Sequence, residues 1–82
     1  MIIKYPLSTE RAIRLMEAEN KLVFIVDNKA NKQDVKKAIE ERFNVKVVQV
    51  RTLNDSKGRK KAYVKFSPET PAIDLATKLG LM

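Results

Sequence analysis

The residues best suited to chemistry in this chain are seven basic side chains that lie within twenty positions. Between residues 46 and 65 they are accompanied by a single acid, Asp55, so the segment has a net charge of +6 out of +7 for the chain. The seven are Lys46, Arg51, Lys57, Arg59, Lys60, Lys61 and Lys65. Basic side chains neutralise phosphates and release the counterions around a nucleic acid. The segment therefore predicts a polyanion-binding surface, with nucleic acid as the first candidate.

The second half of this segment alternates as a β-strand does, with one apolar and one basic side. Ala62, Val64 and Phe66 form the apolar side, and Arg59, Lys61, Tyr63 and Lys65 form the basic side. Tyr63 provides a flat surface on which a base or ribose can lie. The alternative interpretation is a solvated strand whose lysines prevent aggregation. The near-absence of acids favours binding, because a merely solvated surface normally mixes both signs.

Enzymatic chemistry has little support in the sequence. The absence of histidine and cysteine removes the commonest general base, the commonest metal ligand and the thiol nucleophile. Two glycines are too few for a glycine-rich phosphate loop. The neighbouring Glu40 and Glu41 lie on a predicted helix face already balanced by lysines. We therefore expect a protein that is not an enzyme, without catalytic residues, metal or cofactor.

Length and composition predict one small globular domain over residues 1–82. The chain has 82 residues, of which 44% are hydrophobic and 33% charged, and its pI is near 9.9. The apolar fraction suffices for a compact core. No apolar run approaches the roughly 18 residues of a membrane-spanning helix, and the first eight residues are too short for a signal peptide. The expected location is the cytoplasm.

Periodicity predicts three elements in the first third of the chain. Residues 2–5 favour an edge strand before Pro6. Ser8 or Thr9 can cap a helix of about ten residues, with Glu10 in its first turn. The β-branched and aromatic run over residues 22–26 is typical of a central strand that is covered on both faces.

Four further elements follow. Asn31 can cap a second helix, with Asp34 at its third position and Val35, Ala38, Ile39, Arg42 and Phe43 along one side. Residues 45–53 favour a two-sided strand or one with a bulge. A tight loop over residues 54–58 leads to the returning strand. Pro71 can open a last short helix, with Ile73, Leu75, Ala76 and Leu79 inward and Gly80 at its end. The order strand-helix-strand-helix-strand-strand-helix predicts an α+β fold.

An RNA recognition motif is one nucleic-acid family to consider. Residues 62–66, Ala-Tyr-Val-Lys-Phe, imitate the end of its signature strand. However, Lys60 and Lys61 stand where that signature has glycine and its first stacking aromatic. The predicted order also has no fourth strand after the last helix. The sequence therefore does not indicate an RNA recognition motif.

Four stretches in order resemble the large-subunit ribosomal protein family numbered twenty-three, in its archaeal or eukaryotic form. They are Pro-Leu-Ser-Thr-Glu-Arg-Ala at 6–12, Ala-Asn-Lys-Gln-Asp-Val-Lys-Lys-Ala-Ile-Glu at 30–40, Phe-Asn-Val-Lys-Val at 43–47 with Thr-Leu at 52–53, and Gly-Arg-Lys-Lys-Ala-Tyr-Val-Lys-Phe at 58–66. Bacterial members of the family carry a long hairpin extension that this chain replaces with residues 54–58. Arg51 stands where the family commonly has asparagine.

The resemblance implies a four-stranded antiparallel sheet with helices packed on it, and a structural role in the large ribosomal subunit. Members of the family bind large-subunit rRNA beside neighbouring ribosomal proteins, at the rim of the nascent-chain exit tunnel. They help to dock the signal recognition particle and protein-conducting channels. Glu10 matches the acid that contacts the chaperone trigger factor in bacterial relatives, so the resemblance marks it for protein docking. Glu10 also suits a purely structural role beside the positive end of the helix dipole.

The resemblance adds two residues beside Pro6 to the basic segment as candidates for rRNA binding. The full candidate set is Lys4, Arg11, Lys46, Arg51, Lys57, Arg59, Lys60, Lys61, Tyr63 and Lys65. Two alternatives remain open. One is a free module that binds single-stranded RNA, and the other is a basic protein–protein adaptor whose hairpin meets an acidic partner.

Overall fold

A computed structural model describes residues 2–79 as a four-stranded antiparallel sheet with three helices. The elements are β1 (Ile3–Pro6), α1 (Glu10–Glu19), β2 (Lys21–Val26), α2 (Lys32–Phe43), β3 (Val47–Asn54), β4 (Lys60–Phe66) and α3 (Ala72–Lys78). The strands lie in the order β1-β2-β4-β3. The predicted α+β class, element order and antiparallel sheet are confirmed, as is the position of β1 at an edge.

Strand β2 is the central element, as its continuous apolar run predicts. It lies between β1 and β4, and all five residues of 22–26 are buried. Phe24 and Val26 point into the main core, where the Phe24 ring stacks on that of Phe43 from α2 with centroids 6.5 Å apart. Val23 and Ile25 lie on the opposite side of the sheet. Burial on both sides explains why no polar residue interrupts this strand.

Strands β3 and β4 form the predicted hairpin. Ala62, Val64 and Phe66 are almost fully buried, whereas the residues between them are half-buried, so the alternation of β4 is confirmed. The pairing register of β3 shifts between Val47 and Gln49, which confirms the irregularity expected from its two-sided apolar pattern. The shift places Val47 in the core while the following residues keep their alternation.

The two longer helices begin at the caps that the sequence predicts. The Thr9 hydroxyl accepts a hydrogen bond from the Ala12 N–H at 3.2 Å at the start of α1. At the start of α2, Asn31 and Asp34 form a reciprocal capping box, with bonds of 2.8 and 3.2 Å. Such caps satisfy backbone donors that the first helical turn leaves free.

Asn20 ends α1 in the left-handed conformation, with φ of 56°, and joins three parts of the fold. Its Nδ2 donates to the carbonyl oxygens of Phe66, Ser67 and Thr70 at 3.1, 3.2 and 3.1 Å. Its Oδ1 accepts from the Ala72 N–H at 2.6 Å, at the first residue of α3. One side chain therefore holds the end of α1 against the turn between β4 and α3.

Helix α3 packs inward with three of the four residues that the sequence predicts to do so. Ala72, Leu75 and Ala76 are buried, and Leu79 packs partly against the core. The inward orientation predicted for Ile73 is wrong, because 45% of this residue is exposed. In a helix the stripe at i, i+3 and i+4 turns the residue at i+1 about 100° away from it. The predicted helix end at Gly80 lies outside the described residues.

Candidate nucleic-acid interface

The side of the sheet opposite the main core carries three of the six basic side chains of the β3–β4 hairpin, which are Arg51, Lys61 and Lys65. Tyr63 pairs with Arg51 on β3 and with Val23 on β2, and Lys65 pairs with Gln49 and Lys21. Residues directly opposite in an antiparallel pair share one face of the sheet. We call this side the cationic face. It consists of Lys21, Gln49, Arg51, Leu53, Lys61, Tyr63 and Lys65, together with the buried Val23 and Ile25.

Helix α1 borders the cationic face and turns part of it into a groove. Arg11, Leu15 and Glu19 lie at successive steps of four along α1, so they share one side of the helix. With the sheet residues they enclose a groove of about 370 Å³. The sheet contributes Lys21, Gln49, Arg51, Leu53, Tyr63 and Lys65 to its lining. The groove combines an aromatic ring and two leucines with cations from three strands and one helix.

The charge of this groove is strongly positive. Arg11, Lys21, Arg51 and Lys65 contribute four cations, and Glu19 is the acid of its lining. Glu19 already forms an ion pair with the Lys21 ammonium at 3.1 Å. Because the other cations of the lining have no acid beside them in the groove, an anionic ligand meets a positive potential there.

The loop of the hairpin is organised around Asp55. Its carboxylate accepts the backbone N–H groups of Lys57 and Arg59, each at 2.9 Å, and the Arg59 Nε, also at 2.9 Å. The backbone N–H and guanidinium of Arg59 hold the pKa of Asp55 below its ordinary value. Arg59 also donates to the Tyr5 hydroxyl at 3.4 Å, so its side chain spans from the loop to the edge strand β1. Lys57 is exposed at the tip of the loop.

Besides Lys57 and Arg59 of the loop, three of the predicted basic residues lie away from the cationic face. Lys60 has the parity of the core side, and its Nζ donates to the Ala30 carbonyl oxygen at 2.6 Å. Lys46 precedes β3 at the end of the hairpin that is far from the loop. Lys4 lies on β1, three strand positions from β3, which corresponds to roughly 14 Å. The structure thus brings five of the predicted residues together and leaves the others at separate positions. The five are Arg11, Arg51, Lys61, Tyr63 and Lys65.

Glu10, the predicted docking residue, is exposed in the first turn of α1. It forms an ion pair with Arg14 at 2.8 Å, and more than three quarters of each side chain is open to solvent. Since exposed pairs of this kind contribute only about 0–1 kcal/mol, Arg14 leaves the carboxylate available to a stronger partner.

Five residues that line the groove are absent from the predicted set: Leu15, Glu19, Lys21, Gln49 and Leu53. Leu15 and Glu19 lie on α1, where only Glu10 and Arg11 were predicted as site residues, and Lys21 begins the next strand and pairs with Glu19. Gln49 and Leu53 were treated only as parts of a strand. The spacing of Arg11, Leu15 and Glu19 by four is the one signal that could have indicated a lining side of α1.

The fold thus presents an open sheet face that carries a net positive charge. Within residues 2–79, no group of three or more metal-ligating side chains is close enough to hold an ion. None of the described helices has the length and apolar character needed to cross a membrane.

The family model of ribosomal protein L23 matches residues 1–73, which is most of the chain. The protein belongs to the ribosomal protein L23 family, and the predicted family is confirmed. It is therefore a protein of the large ribosomal subunit, with rRNA and other ribosomal proteins as its partners. The family is structural rather than enzymatic in kind.

Proposed function

We propose that this chain is a single rRNA-binding domain that contacts large-subunit rRNA through the cationic face and the β3–β4 hairpin. The observation that carries the proposal is the gathering of Arg11, Arg51 and Lys65 around Tyr63, where Glu19 is the acid of the groove and is already paired. Lys57, Lys61 and Arg59 extend this surface towards the loop. About six phosphate contacts would make affinity fall roughly a thousand-fold between 50 and 200 mM salt.

The separate cations have a different part in this proposal. Lys4, on the edge strand β1, and Lys46, just before β3, are exposed and contact phosphates at the margin of the interface. Lys60 contributes mainly through its hydrogen bond to the Ala30 carbonyl oxygen, which holds β4 against the loop before α2.

The short β3–β4 connection supports the archaeal or eukaryotic type within the family. Only residues 55–59 join the two strands, and their turn is closed by Asp55. A connection of this length leaves no room for the long tunnel-directed extension of bacterial members. We accordingly propose a position at the rim of the exit tunnel, without a contribution to its deeper wall.

Fractionation on a sucrose gradient tests the proposed function. A tagged copy of the full chain is expected to sediment with large subunits and to remain there after a wash at moderate salt. A free RNA-binding module would stay in the top fractions yet bind short oligonucleotides when purified. A basic adaptor that binds an acidic protein partner would not bind RNA. Recovery only in the soluble top fractions would overturn the proposal.

Charge variants then locate the interface. Replacing Arg51, Lys61 and Lys65 together with glutamine should lower rRNA affinity and reduce the slope of log affinity against log salt by about 3, since each lost phosphate contact removes about one unit. Glutamine keeps most of the side-chain length, so packing on the sheet is retained. Circular dichroism verifies the fold of the variant.

The matched control removes the same charge elsewhere. Lys29, Lys37 and Lys78 are exposed and lie outside the cationic face, and their triple glutamine variant has the same net charge as the first. We expect its affinity to stay within about threefold of the original, because distant exposed charges are screened at physiological salt. Equal losses in the two variants would show that total charge, and not this face, determines binding.

Docking of the signal recognition particle and of protein-conducting channels at Glu10 is the second part of the proposal. Its support is the exposure of the carboxylate at the start of α1. Glu10→Gln should weaken binding of the signal recognition particle to ribosomes by up to about fivefold, the effect of one exposed charge pair. Glu17→Gln, at another exposed acid of α1, serves as the control. Unchanged binding of the Glu10 variant would remove Glu10 from the docking surface.

A further inference from the structure

We propose that the groove between α1 and the cationic face holds one unpaired nucleotide of the RNA, with its base stacked on the ring of Tyr63. The inference rests on the proposed rRNA binding and specifies the form of RNA that the groove accepts. It depends on three properties of the groove: a central aromatic ring, its size, and the arrangement of cations around it.

The ring of Tyr63 lies at the centre of the cationic face. On the two neighbouring strands its partners are Arg51 and Val23, and along β4 it has Lys61 and Lys65 two positions away on the same side. Neighbouring positions on one side of a strand are separated by roughly 6.6 Å. A base on the ring would therefore have cations at the distance of its own 5′ and 3′ phosphates. Tyr63 is half-buried, which fixes the ring while leaving part of it accessible.

The volume of the groove favours a single nucleotide over a double helix. At about 370 Å³ it lies near the lower limit of the range for small-ligand sites, which is roughly 300–1,000 Å³. A paired base has its faces covered by its neighbours in the stack, so it cannot stack on a protein ring. Unpaired bases in loops and bulges can, and RNA-binding proteins commonly place them on aromatic side chains.

Helix α1 supplies the second wall of the site. Leu15 and Leu53 provide apolar surface on two sides of the groove, and Arg11 adds a cation from the helix. An inserted base therefore loses little by leaving water, while its phosphates stay at the charged margin. The pair formed by Glu19 and Lys21 closes the end of the groove near the start of β2.

The first test uses tyrosine emission, which is readable because the chain has two tyrosines and no tryptophan. In Tyr5→Phe the remaining emission comes from Tyr63, and in Tyr63→Phe it comes from Tyr5. Short single-stranded oligoadenylate is added until the fluorescence anisotropy of a labelled copy shows that binding is saturated. We then expect strong quenching of the tyrosine emission in Tyr5→Phe and little quenching in Tyr63→Phe. Equal quenching in both variants, or equal quenching of Tyr63 by a duplex of the same length, would overturn the inference.

The second test compares two substitutions in the binding of purified full chain to large-subunit rRNA. Tyr63→Phe keeps the ring and should stay within about twofold of the original affinity. Tyr63→Leu keeps an apolar side chain but loses the ring, and should bind about 5- to 150-fold more weakly, the equivalent of roughly 1–3 kcal/mol. Because stacking involves no counterion release, the loss should be the same at low and high salt, with an unchanged salt slope.

The outcomes separate the two proposals. If the original chain binds no rRNA, the proposed function fails. If it binds, and Tyr63→Leu equals Tyr63→Phe while both melt like the original, only the stacked nucleotide is overturned. A Tyr63→Leu loss that appears as a reduced salt slope would also contradict stacking, because it would indicate lost phosphate contacts.

Discussion

Replacing Asn20 should destabilise this domain more than replacing Asn44 or Lys60. In Asn20→Gly the left-handed backbone is kept, because glycine adopts positive φ without steric cost. What is lost is the side chain that holds the end of α1 against the turn before α3. The variant therefore measures the hydrogen bonds with little contribution from backbone strain.

The expected magnitude follows from the geometry. The amide of Asn20 has two hydrogens for the carbonyl oxygens of Phe66, Ser67 and Thr70, and its oxygen accepts from Ala72. It thus makes the equivalent of three full hydrogen bonds. At a net 0.5–1.5 kcal/mol each, Asn20→Gly should lower the free energy of unfolding by about 2–4 kcal/mol. A domain of this size has roughly 4–12 kcal/mol in total, so the loss is a large fraction.

Asn44 provides the matched control, because it also ends a helix in the left-handed conformation, with φ of 54°. Unlike Asn20, its side chain makes no hydrogen bond within residues 2–79. Asn44→Gly should therefore leave the free energy of unfolding within about 0.5 kcal/mol of the original, and Asn44→Ala should cost about 1 kcal/mol through left-handed strain.

Urea unfolding at constant m-value measures these differences, and thermal melting should show a drop of roughly 10–25 °C for Asn20→Gly. Similar midpoints for Asn20→Gly and Asn44→Gly would refute the reasoning, since they would mean that the three bonds to the β4–α3 turn contribute nothing net.

Two further predictions concern the hairpin. The folded-state pKa of Asp55 is lowered by hydrogen bonds from Arg59, so the stability that this carboxylate contributes is present above about pH 4 and is lost as pH falls through the lowered pKa. NMR titration of the carboxyl should show the lowered pKa, and Asp55→Asn should remove this part of the pH dependence of stability. Lys60→Met should lower the free energy of unfolding by about 1–2 kcal/mol, because it removes the ammonium that donates a hydrogen bond to the Ala30 carbonyl oxygen. Lys61→Met, on the opposite side of β4, is the control and should leave the free energy of unfolding nearly unchanged. Urea unfolding measures both.

The elements that the sequence predicted correctly have local signals. The alternation of β4 and the capping box at Asn31 and Asp34 depend on residues two or three positions apart, so the printed sequence contains them in full. The same applies to the long apolar run of β2. These predictions agree with the fold because the spacing of the residues along the chain matches the repeat of the strand or helix that they form.

The features that were missed depend on contacts between distant parts of the chain. Nothing beside Asn20 indicates a bond to Thr70, and the parity of Lys60 does not reveal that its ammonium reaches Ala30. The error at Ile73 has another cause, because a helix of two turns offers several apolar stripes and packing against the sheet selects one. The groove likewise became visible only when α1 and the sheet were placed together.

The pairing of β2 with β4 has a consequence for the order in which the protein is made. Lys21 and Lys65 are neighbours in the sheet although about half of the chain separates them. Such non-local pairing is slow to form, since the intervening chain must be closed into a loop first. During synthesis β3 also cannot pair until β4 has been made, because β4 is its only neighbour in the described sheet. The cationic face therefore forms late, and a chain that ends before β4 carries only part of its charges and has no surface that arranges them.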